Sequence, residues 1–380
     1  MHPAGGHRQQ VAFLHRAPPA VDRHAQAALD HEERLVLLDV VVDRALLAVE
    51  HEQVLAAIPG LEFVGEPALD QAGPVEVAQV EIQHERFYCD TVKAGKHLLG
   101  EKPFGIDKPA NDAILTCIGE HPEVFVRCNS QMPFFPAVQR IGDMIEAGAF
   151  GRIIEATCCF LHSSDLNPDK PINWKRMIQF NGEYGVMGDL GMHACHVPFR
   201  AGWRPRNVRA VLSNIVPQRP DGKGKIVPCE TWDNAALLCQ AVDADSGDEF
   251  PWTVKTQRIS PGQTNTWYVE VLGMKACARF CTKKPRTLEV LEYTGGRQAW
   301  QQIDVGYETA FPAITGGIFE FGFTDAILQM WAGFLYELAH GRPLKKFAGC
   351  VTPQEAALSH RLFPAALASQ KSAATVSVEA

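Results

Sequence analysis

The chain reads as an α/β protein. A doubly wound parallel sheet comes first, and an α+β domain with a large open antiparallel sheet follows it. Three observations predict this. Short apolar runs alternate with helical patterns from Val11 to Val126. One of those runs, Leu35 to Val42, is almost entirely apolar, as a strand covered on both faces must be. From Val208 to Ile303 the pattern changes to strands separated by turn residues, with no convincing helical period.

The elements follow in order. Val11 to Leu14 is a strand candidate, and His24 to Leu29 carries apolar residues at helical spacing. After the run at Leu35 to Val42, Ala45 to Ile58 has Leu46, Val49, Val54 and Ile58 on one helical face, stopped by Pro59-Gly60. Leu61 to Val64 is another short run, and Val75 to Val80 alternates as a strand does. Phe87 to Ala94 is helical, with Gly95 as its C-cap. Leu98-Leu99 is a strand, Asn111 to Ile118 a helix, and Val124 to Val126 a strand. Repeated strand–helix alternation argues for a parallel sheet with helices on both faces.

Ala137 to Ala147 is a helix ended by Gly148, and Gly151 to Leu161 begins a long strand. Asp221-Gly222, Ser246-Gly247, Pro261-Gly262 and Gly295-Gly296 punctuate the strand-rich stretch. Residues 217–225 and 243–249 are the expected flexible loops. Asp325 to Ala339 is a helix stopped by Gly341 and Pro343. Thr352-Pro353-Gln354-Glu355 is a helix start with an N-cap threonine, proline at the first position and glutamate at the third. The expected organisation is residues 1–128 as the first domain, 129–345 as the open-sheet domain, and 346–380 as a helix returning to the first.

Composition narrows the class. The 380 residues are 46% hydrophobic and 21% charged, with a formal net charge of -8. No dense Lys/Arg run invites nucleic acid or an anionic membrane. No apolar stretch is long enough to span a bilayer, and the N-terminus lacks a signal-peptide layout. The cytoplasm is the expected compartment. The eleven cysteines show no CxxC spacing and read as reduced, mostly buried thiols.

Two motifs carry chemistry. Gly95-Lys96-His97-Leu98-Leu99-Gly100-Glu101-Lys102-Pro103 ends a helix, passes a buried strand and sets a lysine between a carboxylate and a proline. Far downstream comes Asp189-Leu190-Gly191-Met192-His193-Ala194-Cys195-His196. Glu-Lys-Pro after Gly-Lys-His, with a later Asp-x-Gly-x-His, resembles the Gfo/Idh/MocA oxidoreductases, the family of glucose-fructose oxidoreductase and inositol dehydrogenase. The resemblance extends over nearly the whole chain. It implies a Rossmann-like first domain, a sheet domain that builds a homodimer or homotetramer, and NAD- or NADP-dependent chemistry on a secondary alcohol. The substrate class it implies is a sugar, an inositol or a related cyclic polyol.

The cofactor loop departs from the family. A dinucleotide site uses Gly-x-Gly-x-x-Gly between its first strand and helix, for a tight turn and close approach of the backbone to pyrophosphate. Here the glycine positions fall on Arg16, Pro18 and Val21. Either Arg16 or Arg23 holds phosphate by charge, or the loop has decayed. Asp43 ends the second strand, where an acid bonds the adenosine ribose, while Arg44 suits a 2'-phosphate. His84 aligns with a family histidine near the nicotinamide, although Gln79-Val80 replaces the usual Thr-Pro before it. Glu101 and Lys102 complete the expected cofactor contacts.

At the reacting end, an alcohol needs a base for its proton and a donor that polarises its oxygen. Lys102 follows a strand at its C-terminal end, where ligands bind in open α/β sheets. By resemblance, Asp189 binds substrate and His193 transfers the proton. Trp174 and Arg176 suit a polyol, by stacking and by hydrogen bonding, and Tyr184 is a further candidate of that kind. D-x3-H-x2-H over Asp189, His193 and His196 is an alternative metal reading; no metal is the preferred expectation. A second functional class stays open: a non-catalytic sensor or regulator on the same fold.

Overall fold

The structure is a computed structural model that describes residues 80–379 and two short strands before them, β1 (Leu35–Val36) and β2 (Leu61–Glu62). The expected elements at Val11 to Leu14, His24 to Leu29 and Ala45 to Ile58 lie outside the described residues, as do Arg16, Asp43 and Arg44.

The first sheet has the order β2-β1-β3-β4, where β3 is Leu98–Gly100 and β4 is Val126–Cys128. Every pairing in it is parallel. Helix α1 (Val80–Lys93) precedes β3, and α2 (Lys108–Glu120) connects β3 to β4. Val80 therefore opens a helix and does not end a strand, a correction to the reading of Val75 to Val80. His84, Tyr88, Thr91 and Val92 are buried at helical spacing, and a six-residue alternation is too short to compete with that period. Tyr88 and Val92 of α1 and Ile114 and Cys117 of α2 share one core with Leu98 and Val126. That packing fixes the height at which the chain leaves β3.

The second sheet has nine strands in the order β14-β13-β12-β11-β5-β10-β9-β6-β15. In chain order they are β5 (Ile153–Leu161), β6 (Trp203–Ser213), β9 (Asn234–Asp243), β10 (Glu249–Gln257), β11 (Thr266–Gly273), β12 (Ala276–Cys281), β13 (Thr287–Glu292), β14 (Gln301–Asp304) and β15 (Val376–Ser377). Only β5 and β10 pair in parallel; every other pairing is antiparallel. Residues 217–225 are not a plain loop. Gln218–Pro220 (β7) pairs with Ile226–Pro228 (β8) as a hairpin, tied by Asp221 Oδ1 accepting from the amides of Lys223 and Lys225.

Helices cover one face of this sheet: α3 (Pro136–Glu146), α5 (Met192–Ala201) and α7 (Pro353–Ser372), while α4 (Ile178–Asn181) is a single turn that packs against α1. Phe199 of α5 meets Trp252 edge-on at 5.7 Å. Helix α6 (Phe323–His340) packs Phe334 and Met330 against Leu99 and Phe134. The N-terminus of α7 carries the expected capping box, with Thr352 Oγ1 accepting from the Glu355 amide at 3.1 Å and Glu355 Oε2 accepting from the Thr352 amide at 2.8 Å. Such a cap is worth about 1 kcal/mol. α7 touches both sheets: Ala356 lies in the core of the first, and Ser369 Oγ accepts from the Ala210 amide of β6. The other face of the large sheet is open in the single chain, with Val211, Leu238 and Ile154 half-exposed. All eleven cysteines are free thiols. Among the described residues no helix is long and apolar enough to cross a membrane.

Candidate active site

β3 is buried along its whole length, and Glu101 follows it on the carboxyl side of the parallel sheet. Three side chains hold the turn that follows. Tyr88 donates its hydroxyl to the Glu101 carbonyl at 2.6 Å, His84 Nδ1 lies 3.0 Å from the Pro103 carbonyl, and Asn111 donates to the Phe104 carbonyl at 2.7 Å. The Lys102–Pro103 peptide is cis. Glu101 Oε2 accepts from the Lys102 amide at 3.2 Å, and Oε1 accepts from the side chain of Asn129, which leaves the neighbouring strand β4.

Held this way, Lys102 reaches across 87 positions of sequence. Its Nζ donates to Asp189 Oδ1 at 2.7 Å and to the Asp189 carbonyl at 2.9 Å. Asp189 sits in a π-helical turn, Met187–Gly191, that runs directly into α5. Two glycines make that turn possible. Gly185 has φ +55°, and a Cβ there would meet the Trp232 amide nitrogen at 2.8 Å; at Gly191 a Cβ would meet the Phe363 ring at 2.8 Å. The Asp189 carboxylate is buried and collects two more cations: Lys175 Nζ lies 3.5 Å from Oδ1, and the Arg258 guanidinium contacts Oδ2. Burying a carboxylate is tolerated only with such pairing.

His193 is on the first turn of α5, 7% exposed. Its Nδ1 lies 3.2 Å from Ser130 Oγ, and its ring meets Phe160 edge-on at 5.6 Å. Its carbonyl accepts from the Trp267 indole at 3.0 Å. Burial, reinforced by Lys102, His196, His162 and Lys175, holds its imidazole well below the usual 6.5. His162 is pushed down to about 4, first by burial and then by Arg258, Lys175 and Lys102. The site thus presents two neutral imidazoles beside a carboxylate ringed by cations.

The structure brings Lys102, Asp189 and His193 together, with Glu101 at the same strand end. Trp174 lies at the edge, its ring 5.1 Å from Lys175 Nζ. Three expected residues stand elsewhere. Arg176 is fully buried and turned away, on Asp233 Oδ2 at 3.2 Å and Asn214 Oδ1 at 2.6 Å, so as a substrate-binding group it is corrected to a core ion pair. Tyr184 is corrected likewise: it packs in the core against His360 and Phe363 at 5.7 Å and 5.5 Å. His84 is buried beneath the turn, stacked on Tyr88 at 5.0 Å, as a brace for Pro103 and not as an open cofactor contact. His196 is buried, its imidazole pushed down to about 3 by burial. Among the described residues no group of three or more His, Cys, Asp or Glu side chains is arranged to hold a metal.

The sequence motifs give no role to Ser130, His162, Lys175 or Arg258, all of which the structure brings to this site. Arg258 has no local signal at all, since it simply follows β10; strand order alone carries it to Asp189. The residues fit one end of a dinucleotide. Glu101 and Lys102 both follow β3 at the carboxyl end of the parallel sheet, where open α/β sheets bind their ligands. The segment that would grip pyrophosphate, residues 15–23, lies outside the described residues.

No family model matches the chain. In sequence it is 24% identical over 230 residues to a levoglucosan dehydrogenase of Pseudarthrobacter phenanthrenivorans, covering 57% of this chain and 57% of that protein. The chain thus spans little more than half the length of that curated relative. In structure it resembles a levoglucosan dehydrogenase in complex with NADH and L-sorbose, with a TM-score of 0.69 at 19% identity over 87% of this chain and 83% of that one. It also resembles an inositol dehydrogenase homologue from Azotobacter vinelandii in complex with NADH and myo-inositol, with a TM-score of 0.63 at 17% identity over 86% of this chain and 80% of that one. The chain shares the fold of these NADH-bound dehydrogenase structures, the fold that the resemblance read from its two motifs implies.

Proposed function

We propose that the chain is an NAD- or NADP-dependent dehydrogenase that interconverts a secondary alcohol and a carbonyl on a sugar, inositol or related cyclic polyol. The observation that carries this is the Lys102–Asp189 bond beside a neutral His193 at the carboxyl end of a parallel sheet. When bound, the nicotinamide supplies the hydride acceptor. The chain's own residues do the rest. Asp189 sets the direction of the Lys102 ammonium, which donates to the substrate oxygen and polarises it. His193 takes the hydroxyl proton on Nε2 when its Nδ1–H donates to Ser130 Oγ. Trp174 offers an apolar face for a sugar ring at the rim. Glu101 and Lys102 hold the nicotinamide end.

Fluorescence titration with NADH and NADPH at micromolar concentration, followed by turnover assays on levoglucosan, L-sorbose, myo-inositol and glucose, tests the reading. Saturable binding with turnover on at least one sugar is expected, and no binding of either dinucleotide overturns it. The glycine-less loop at Arg16 and Pro18 favours the second reading, a ligand sensor without catalysis; tight binding with no turnover on any sugar would move the assignment there.

The open face of the large sheet supports a homodimer or homotetramer. Val211 and Leu238 are each 54% exposed on adjacent strands β6 and β9, and large apolar patches are rare on monomers. Light scattering is expected to give a multiple of the chain mass. A value near 41.8 kDa that does not change on dilution would contradict this.

A further inference from the structure

We infer that the segment Glu230–Asp233, pinned by the buried Arg176–Asp233 ion pair, is the positioning hub of the site: it sets Lys175, Asp189 and Arg258 in register with one another. These residues come from three separate parts of the chain, and this one tetrapeptide bonds Lys175 and Arg258 directly and the turn that carries Asp189 through Val186. Toward Lys175, Thr231 Oγ1 donates to the Lys175 carbonyl at 2.7 Å, and the Glu230 amide donates to the Arg176 carbonyl at 2.9 Å. Toward Asp189, the Val186 amide, one turn upstream, donates to the Trp232 carbonyl at 3.1 Å. Toward Arg258, its own amide donates to the Asp233 carbonyl at 2.9 Å.

The hub is itself anchored. Asp233 Oδ1 accepts from the Ile215 amide at 3.0 Å, and Oδ2 accepts from the Val216 amide at 2.9 Å and from Arg176 Nη2 at 3.2 Å. Both partners of the pair are fully buried. Their neighbours Lys175 and Arg258 point the other way, onto Asp189. Arg176 and Asp233 touch neither reacting atoms nor the Asp189 carboxylate; they act through those neighbours. Small misplacements of such groups are costly, because a cation on a buried carboxylate must be held to within a fraction of an ångström.

The test is Asp233→Asn, which keeps the shape and removes the charge. The readout is the titration of the His162 imidazole by NMR. His162 faces Arg258, Lys175, Lys102, Asp165 and His193. If the hub positions the two outer cations, loosening it moves them and lets water in, and both effects raise the His162 midpoint from about 4 toward 6.5. Read between about pH 8 and 6, where the chain is folded, the variant ring is expected to begin its titration while the wild-type ring stays neutral; a variant ring that stays neutral across the same range overturns the inference. Should the Asn variant not fold, Thr231→Val removes only the bond to the Lys175 carbonyl and is read the same way. As a statement about catalysis the inference rests on the dehydrogenase reading above. There, the expectation is a kcat lower by about 10- to 100-fold with unchanged NADH affinity. A wild-type chain inactive on every sugar defeats that reading and leaves the titration to decide this one.

Discussion

Lys102→Ala is expected to abolish turnover while the chain stays folded. Lys102 links the end of β3 to Asp189 by a short hydrogen bond, 2.7 Å at Oδ1. Removing it takes away the donor to the substrate oxygen, a contribution on the order of 100- to 10,000-fold for a positioned proton-transfer group. The fold is spared for two reasons. Asp189 keeps Lys175 and Arg258 as partners, so no bare carboxylate is left in the interior. The turn after β3 keeps Tyr88, His84 and Asn111 on its carbonyls. Steady-state kinetics on the responding sugar, with NADH titration and a thermal melt as controls, checks this. Wild-type kcat in a folded variant would remove Lys102 from the mechanism.

The second large effect is cooperative unfolding in mild acid. His84 and His162 are held down at about 4, His196 and His360 at about 3, and His193 well below 6.5, with burial the first cause in each case. In the unfolded chain these rings take up a proton near 6.5, whereas in the folded chain they stay neutral to lower pH. The unfolded state therefore binds more protons below 6.5. Stability is complete above that value and is lost as pH falls from 6.5 toward the folded values. Each histidine contributes a slope of about 1.4 kcal/mol per pH unit. Several together exhaust a marginal stability of about 5–15 kcal/mol within roughly two pH units. Circular dichroism is expected to show unfolding between about pH 6 and 4; a native spectrum at pH 4 contradicts it. The same depression keeps His193 neutral around pH 6.5, so a pH–rate profile is expected to show no limb there from this residue.

Much of the architecture was legible in the chain. Period-2 runs and turn pairs marked the large sheet, and its strands β9 to β12 stand where those signals were. Thr352 and Glu355 announced a helix start that the structure forms with both hydrogen bonds of the box. These are local properties, written in spacing and in side chains that bond their own backbone. Val80 was misread because six residues of alternation fit a strand and a helix equally well. The hairpin at 218–228 was misread because Gly222 and Gly224 look like a loop when only composition is considered.

Lys102, Asp189 and His193 were found as motif residues, and their identity was a property of the sequence alone. What each of them touches was not. The partners of Asp189 come from positions 102, 175 and 258, and no periodicity relates them. Arg176 and Lys175 are adjacent and chemically alike, yet one is locked on Asp233 in the core and the other reaches Asp189. A residue's type and local period follow from the chain itself. Which way a long side chain turns depends on where a buried countercharge stands, and only the packing of the two sheets against α5 and α7 decided that.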